Sequence, residues 1–128
     1  EMAEKVRDGK KVKIYSKKLP GEELVALVRS ASFGVFPSLV EAFGVVSIET
    51  QSFGIPVVVG NAGGLPETVL DKRTGIVVNS RDPQDIARGM EWVWANRDEL
   101  AENARNFVAK KFSWDRIVKE YVEKLYRG

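Results

Sequence analysis

The sequence predicts an α/β domain in which a parallel sheet carries helices on both faces. Three observations lead there. A short apolar run, Phe33-Gly34-Val35-Phe36, stops at Pro37 as a buried strand would. Gly44 then opens a pattern that fits a helix of about ten residues, closed by Gly54 and Pro56. Pro56 to Val59 is a second apolar run, followed by Gly63-Gly64-Leu65-Pro66-Glu67, a loop too rich in glycine for packing alone. Strand, loop, helix, strand is half of a doubly wound sheet, and in such sheets ligands bind beyond the carboxyl ends of the strands. Glu41 and the glycine loop both fall at that edge.

The other elements follow in chain order. The charged stretch from Glu1 to Lys10 reads as the tail of a helix ending at Gly9, and Lys11 to Tyr15 as a strand. Ser16 to Gly21 is a loop. Glu22 to Ala31 carries Leu24, Leu27, Val28 and Ala31 at helical spacing, with acids in the first turn where the helix dipole favours them. Thr74-Gly75 is a turn and Ile76 to Val78 a short strand. Three helices close the chain. Asp82-Pro83 starts the first, with Asp as N-cap and Pro at the first helical position, and Ile86, Ala87, Met90, Val93 and Trp94 form its inner face. Asp98 caps the second, with Leu100, Ala101, Ala104, Phe107 and Val108 inward; Ser113 caps the third, with Ile117, Val118, Tyr121, Val122 and Leu125 inward. Trp92, Trp94 and Trp114 are expected to pack in the core or between helices, since aromatics carry large burial energies.

Composition narrows the chemistry. A chain of 128 residues is one domain or part of one, and 44% hydrophobic content suffices for a core. The net charge is +2, and the Lys10-Lys11 and Lys17-Lys18 pairs are too short to make a basic tract, so a nucleic-acid partner is not expected. There is no cysteine, which excludes disulfides, thiolate metal sites and cysteine nucleophiles. There is no histidine, which removes Ser-His-Asp chemistry, the usual zinc sites and the commonest general base. Carboxylates, Lys, Arg, Tyr and backbone amides remain. No apolar run approaches the ~18 residues of a membrane span, and the first residues do not read as a signal peptide. The expected location is the cytoplasm, with membrane association through a parent enzyme left open. Abundant Lys and Glu without Cys would also suit a thermophile.

Four features converge on the ligand edge. Glu49 lies in the stripe Val46, Glu49, Phe53, among apolar positions, where a carboxylate needs a partner. That partner is either a nearby Lys, Arg or hydroxyl, or a ligand diol such as a ribose. The helix start Phe43-Gly44-Val45-Val46 offers amides without intrahelical acceptors, and Gly44 lets a ligand approach the backbone; this suits phosphate, although water satisfies most helix starts. Glu41 stands just before that amide cluster, where a loop acid otherwise faces solvent. Gly63-Gly64 permits positive φ and close approach, or simply a tight turn.

The run Pro37-Ser38, Glu41, Phe43-Gly44, Glu49, Gly54, Pro56-Val57-Val58, Gly63-Gly64, Pro66-Glu67, Thr74-Gly75 resembles the C-terminal nucleotide-sugar domain of retaining glycosyltransferases of the GT-B fold. This is the large family, also called glycosyltransferase family 4 or group 1, that contains glycogen and sucrose-phosphate synthases. Its hallmark is two glutamates separated by seven residues, as Glu41 and Glu49 are. Asp82-Pro83 and Phe112-Ser113-Trp114 are similar to its closing pattern, and the likeness runs from about Val12 to Tyr126.

The resemblance implies a Rossmann-like fold, a partial GT-B C-terminal domain ending in helices, and roles for named residues. Glu41 would be the catalytic-site residue that contacts the donor sugar and helps position its anomeric carbon. Glu49 would hold the ribose hydroxyls. Phe43 and the amides of Gly44, Val45 and Val46 would form the distal-phosphate site, Gly63 and Gly64 would shape the sugar pocket, and Lys17 lies in the loop near the nucleotide base. The partner would be a nucleoside-diphosphate sugar, the transfer would keep the anomeric configuration, and neither metal nor cofactor would be needed. No Asp-x-Asp metal motif occurs in the chain.

Two departures from the family pattern matter. Its C-terminal domain normally opens with two further strand-helix units, ~60 residues in all at ~30 each, which carry an Arg and a Lys that neutralise the leaving diphosphate. Its N-terminal acceptor domain is also without a counterpart here. The chain is therefore expected to be a piece of an enzyme that binds donor weakly and turns over nothing alone. If the strand order is 3-2-1-4-5-6, the two missing strands fall in the middle of the sheet. Lys11 to Tyr15 is then expected to pair directly with Phe33 to Phe36, or chains to self-associate over the gap. A stand-alone nucleotide-sugar binding module, an epimerase of the same architecture and an oligomerising remnant remain as alternatives.

Overall fold

The computed structural model describes residues 12–111. In chain order these form helix α1 (Gly21–Arg29), strand β1 (Gly34–Phe36), helix α2 (Val45–Ser52), strand β2 (Val57–Gly60), a 3-10 turn (Leu65–Thr68), strand β3 (Gly75–Val78), helix α3 (Pro83–Ala95) and helix α4 (Arg97–Lys111). The three strands make one parallel sheet in the order β1-β2-β3. Gly34 pairs with Val57, and Val57 with Gly75. This is the α/β, Rossmann-like architecture expected.

The central strand explains its own sequence. Val57, Val58 and Val59 are each 0% exposed, so β2 is covered on both faces and reads as a continuous apolar run. Val57 and Val59 pack with Leu65, Val69, Phe36 and Val77 on one face. Val58 packs with Val78, Val93 and Leu100 on the other, where Phe33, Val35, Ile76, Ile86 and Trp92 complete the cluster. Helix α3 starts where Asp82 caps it, its carboxylate accepting the Gln84 N–H at 3.0 Å. Helix α2 ends where Gly54 takes φ +75°, its N–H bonded to the Gln51 carbonyl at 2.9 Å.

The structure corrects several expectations. Residues 12–15 form no strand, and the expected pairing with Phe33 to Phe36 does not occur among the described residues. A parallel pair is held by a crossover packed on the sheet, and α1 buries none of its residues. Leu24 and Leu27, expected inward, are 48% and 38% exposed. The inner face of α3 runs through Ile86, Gly89 and Val93, leaving Ala87, Met90 and Trp94 outside. Gly89 sets this facing, because its lack of a side chain lets the helix backbone settle onto Val78, Ile76 and Val58. Trp94 is half exposed, edge-on to Phe33 at 6.5 Å and stacked by the Arg97 guanidinium at 4.0 Å, whereas Trp92 packs against the core as expected. Asn96, not Asp98, opens α4, its carbonyl accepting the Leu100 N–H at 3.1 Å. Leu100, Ala104 and Val108 are buried there as expected. The helices read at Glu1 to Lys10 and after Ser113, with Trp114, lie outside the described residues. No helix among the described residues is long and apolar enough to cross a membrane.

Candidate functional site

Three parallel strands deliver their following loops to one edge. These are residues 37–44 after β1, 61–64 after β2 and 79–82 after β3. Hydrogen bonds tie the loops together. The Gly64 N–H donates to the Glu41 carbonyl at 3.2 Å. The Ser80 hydroxyl donates to the Ser38 carbonyl at 3.0 Å, and the Ser80 N–H to the Asn61 side-chain oxygen at 3.3 Å. Glu41 thus sits on a braced loop and is itself half-buried.

The paired glycines are where backbone meets backbone. Gly63 has φ +53°, and a Cβ there would run into the Glu41 carbonyl oxygen. A Cβ on Gly64 would stand 2.7 Å from the Ala42 carbonyl oxygen and 3.2 Å from Phe43 Cα. Only glycine allows the two loops to lie this close. The pair therefore holds the Glu41 loop in place, which is more than a tight turn requires.

Gly44 begins α2 from the left-handed region, with φ +69°. It is buried, and a Cβ there would come within 2.8 Å of Thr68 Cγ2. Its carbonyl accepts the Ser47 N–H at 3.0 Å and the Ile48 N–H at 3.3 Å. The amides of Val45 and Val46 precede these first bonds and stand at the positive end of the helix dipole. Val45 and Val46 are 48% and 56% exposed, so this helix start is open to a ligand. Phe43 beside it is 57% exposed.

Glu49 is not where the apolar stripe places it. It is exposed, one turn along α2 on the same outer face as Val45 and Val46. No buried partner is required of it. The inner face of α2 is polar instead, made of Ser47, Thr50 and Gln51. The Ser47 and Thr50 hydroxyls and the Gln51 amide nitrogen find partners in the 3-10 turn and in the helix itself, so hydrophobicity does not report burial here. The structure therefore brings Glu41, Gly44, Val45, Val46, Gly63 and Gly64 together at one edge, with Glu49 a turn behind. Lys17 is exposed in the segment before α1 and makes no hydrogen bond or ion pair among the described residues. A groove of about 650 Å³ lies elsewhere, lined by Leu70, Arg73, Thr74, Asn103, Phe107 and Lys110 among others. None of the expected site residues lines it, and the braced strand-end edge remains the candidate.

A family model described as glycosyl transferases group 1 matches residues 1–111. The chain belongs to this family. An uncharacterized glycosyltransferase of Methanocaldococcus jannaschii is 41% identical, over 80% of this chain and 27% of that protein. The D-inositol 3-phosphate glycosyltransferase of Corynebacterium urealyticum is 35% identical, over 100% of this chain and 30% of its own length. Among solved structures, sucrose-phosphate synthase from Thermosynechococcus elongatus superimposes with a TM-score of 0.83 at 29% identity, covering 98% of this chain and 32% of that one. The C-terminal domain of a group 1 glycosyl transferase from Francisella tularensis gives a TM-score of 0.78 at 23% identity, covering 88% of this chain and 61% of that domain. The chain thus spans under a third of the two curated relatives, and as a group 1 glycosyltransferase sequence it has the GT-B type of fold.

Sequence reasoning missed the residues that brace this edge. Ser80 and Asn61 carry no motif of their own, and nothing in their spacing reveals a tie to Ser38. Ser47 and Gln51 stand at i and i+4 on α2, which was a readable sign of a polar helix face.

Proposed function

We propose that this chain is the donor-binding part of a retaining glycosyltransferase that moves a hexose from a nucleoside-diphosphate sugar to an acceptor. One observation carries the reading: the Glu41 and Gly63-Gly64 loops are locked backbone to backbone, so that the loop bearing Glu41 and the open start of α2 stand at one strand-end edge. The amides of Gly44, Val45 and Val46 would bind the distal phosphate. They would also meet the charge that develops as the diphosphate leaves with the electron pair of the anomeric C–O bond. Glu41 would hold the donor sugar and orient its anomeric carbon for attack with retention. Glu49, an exposed carboxylate one turn behind, would accept two hydrogen bonds from the ribose diol.

Ligands bound by structural neighbours support a nucleotide-sugar donor. Anabaena HepE has been solved with UDP, with UDP and glucose, and with UDP-glucose, and starch synthase IV of Arabidopsis thaliana with ADP and acarbose. In this proposal the transfer needs no metal, the acceptor site and the rest of the donor site belong to other parts of a parent enzyme, and the parent works in the cytoplasm. The chain alone binds weakly and turns over nothing.

The test is ligand-detected NMR of the chain with UDP, GDP and ADP, beside Glu49→Ala. The hydroxyl-to-carboxylate bonds lost in the variant predict about ten-fold weaker binding or more. Glu49 is exposed, so its removal should leave folding stability within about 0.5 kcal/mol. Equal nucleotide affinity in a folded Glu49→Ala chain would remove the ribose role. Binding by neither protein at millimolar nucleotide would remove the donor-site reading of this chain.

A further inference from the structure

The inner face of α2 is polar where an apolar face would pack without polar desolvation. Ser47 and Gln51 are 0% exposed and Thr68, on the 3-10 turn opposite, is 1% exposed. We infer that Ser47, Gln51 and Thr68 are positioning residues that lock the first turn of α2 against the Gly63-Gly64 loop, and so set where the Val45 and Val46 amides stand. The inference deepens the proposed donor site and rests on that reading for its functional consequence.

The directions of the bonds follow from the partners. Thr68 Oγ1 donates to the Leu65 carbonyl at 2.7 Å. Its single proton is then used, so the Ser47 hydroxyl must donate to Thr68 Oγ1 at 2.8 Å. Ser47 Oγ in turn accepts from Gln51 Nε2 at 3.1 Å. The same Gln51 nitrogen donates to the Thr68 carbonyl at 2.7 Å and approaches the Ser47 carbonyl at 3.3 Å. Reversing the Gln51 amide would set its oxygen against these carbonyl oxygens, so the orientation is fixed. Gln51 Oε1 is buried and has no partner among the described residues. A buried acceptor without a partner opposes folding, and the two Nε2 donor contacts to Ser47 Oγ and the Thr68 carbonyl are what hold it there.

Thr68 is the hub. Its methyl lies where a Cβ on Gly44 would reach 2.8 Å, its hydroxyl meets Ser47, and its carbonyl meets Gln51. Gly44 is the cap of the helix whose first amides face the ligand edge, and Thr68 closes the turn that follows Gly63-Gly64. Apolar packing would tolerate sliding of α2 along the turn. Directional bonds with a fixed donor order permit one register.

The experiment compares Thr68→Val, which keeps the methyl and replaces the hydroxyl, with Thr68→Ser, which keeps the hydroxyl. Two readouts are taken. In free ¹⁵N-labelled chain, Thr68→Val should shift the Val45, Val46, Gly63 and Gly64 amides and speed the exchange of the hydrogen-bonded Ser47, Ile48 and Gly64 amides about ten-fold or more, while the β2 amides stay in place. Thr68→Ser should return them. In titrations with UDP and UMP, the preference for UDP that the distal phosphate confers, expected to be about ten-fold, should collapse in Thr68→Val and recover in Thr68→Ser. Should Thr68→Val fail to fold, Ser47→Ala removes the middle hydroxyl and takes the same two readouts. Unmoved amides at 45, 46, 63 and 64, or changes spread evenly through the core, would overturn the positioning role. If the unsubstituted chain binds neither nucleotide, the donor-site reading fails, and the amide shifts still decide whether the network positions α2.

Discussion

Replacing Gly63 with alanine tests the two-loop platform directly. Two costs arise. An L-residue held in the left-handed region, where Gly63 sits with φ +53°, costs about 1–2 kcal/mol. The new Cβ would also overlap the Glu41 carbonyl oxygen, so the loops must separate until carbon and oxygen reach an ordinary contact of about 3.3 Å. That separation breaks the 3.2 Å bond from Gly64 N–H to the Glu41 carbonyl, worth about 0.5–1.5 kcal/mol. The sum is roughly 1.5–3.5 kcal/mol. At about 4 °C per kcal/mol for a chain of this size, the melting temperature should fall by roughly 6–14 °C.

The matched control is Gly21→Ala. Gly21 opens α1 with nothing within 4 Å of its Cβ position and an ordinary φ, so alanine should be neutral or stabilise by up to about 1 kcal/mol. Both variants are melted by far-UV circular dichroism and unfolded in urea. A Gly63→Ala chain melting within about 2 °C of the parent would refute the reasoning. It would mean that the loops part at no cost and that Glu41 is not held by them.

Two further outcomes follow from helix α3. Gly89→Ala carries opposing effects: helix propensity favours alanine by up to about 1 kcal/mol, while overpacking costs about 1–3 kcal/mol. The Cβ would meet Val78 Cγ1 at 2.7 Å and Ile76 and Val58 methyls at 3.3 Å, so overpacking should win and urea unfolding should show a net loss of about 1–2 kcal/mol; a gain would show that α3 can ride up off the sheet freely. Asp82→Ala should lose about 1 kcal/mol by removing the cap on Gln84 N–H, and Asp82→Asn should lose almost none, since an amide oxygen caps as well. The Arg88 contacts at 3.8 and 3.4 Å are exposed and should contribute little, so equal losses in both variants would transfer the effect from the cap to charge.

The elements that were legible share a property. Phe33 to Phe36, Pro56 to Val59 and Asp82-Pro83 are bounded by residues whose backbone preferences act locally, and the structure places strand, strand and helix start within a residue of each. Gly44 and Gly54 bracket α2 for the same reason, both having positive φ. What was not legible depends on what lies opposite. The stripe Val46, Glu49, Phe53 looked like an inner face because it is apolar, yet Val46 is 56% exposed and the buried face is Ser47, Thr50 and Gln51. A polar face buries when another segment supplies its partners, and Thr68 is 17 positions from Gln51. The α3 facing turned on a single glycine for a similar reason. Apolar periodicity marks Met90 and Trp94, whereas a buried Gly89 has no hydropathy to announce it.

The packing is uneven, and that bears on the site. Strand β2 is fully covered, whereas β1 is half-buried throughout and α1 buries nothing. The platform of Glu41, Gly44 and Gly63-Gly64 is braced by the loops after β2 and β3 and by the 3-10 turn. Helix α2 is backed in turn by α4, where Leu100, Ala104 and Val108 are buried and Arg105 lies across Gly54. The segment bearing Lys17 hangs on α1, whose apolar side chains face outward. Elements with few buried contacts open at low free energy. In the proposed donor site, phosphate and ribose contacts would therefore come from the packed half and base contacts from the open half. Ordering that open half would be charged against every binding event, and this opposes tight binding by the chain alone even where its phosphate site is already formed.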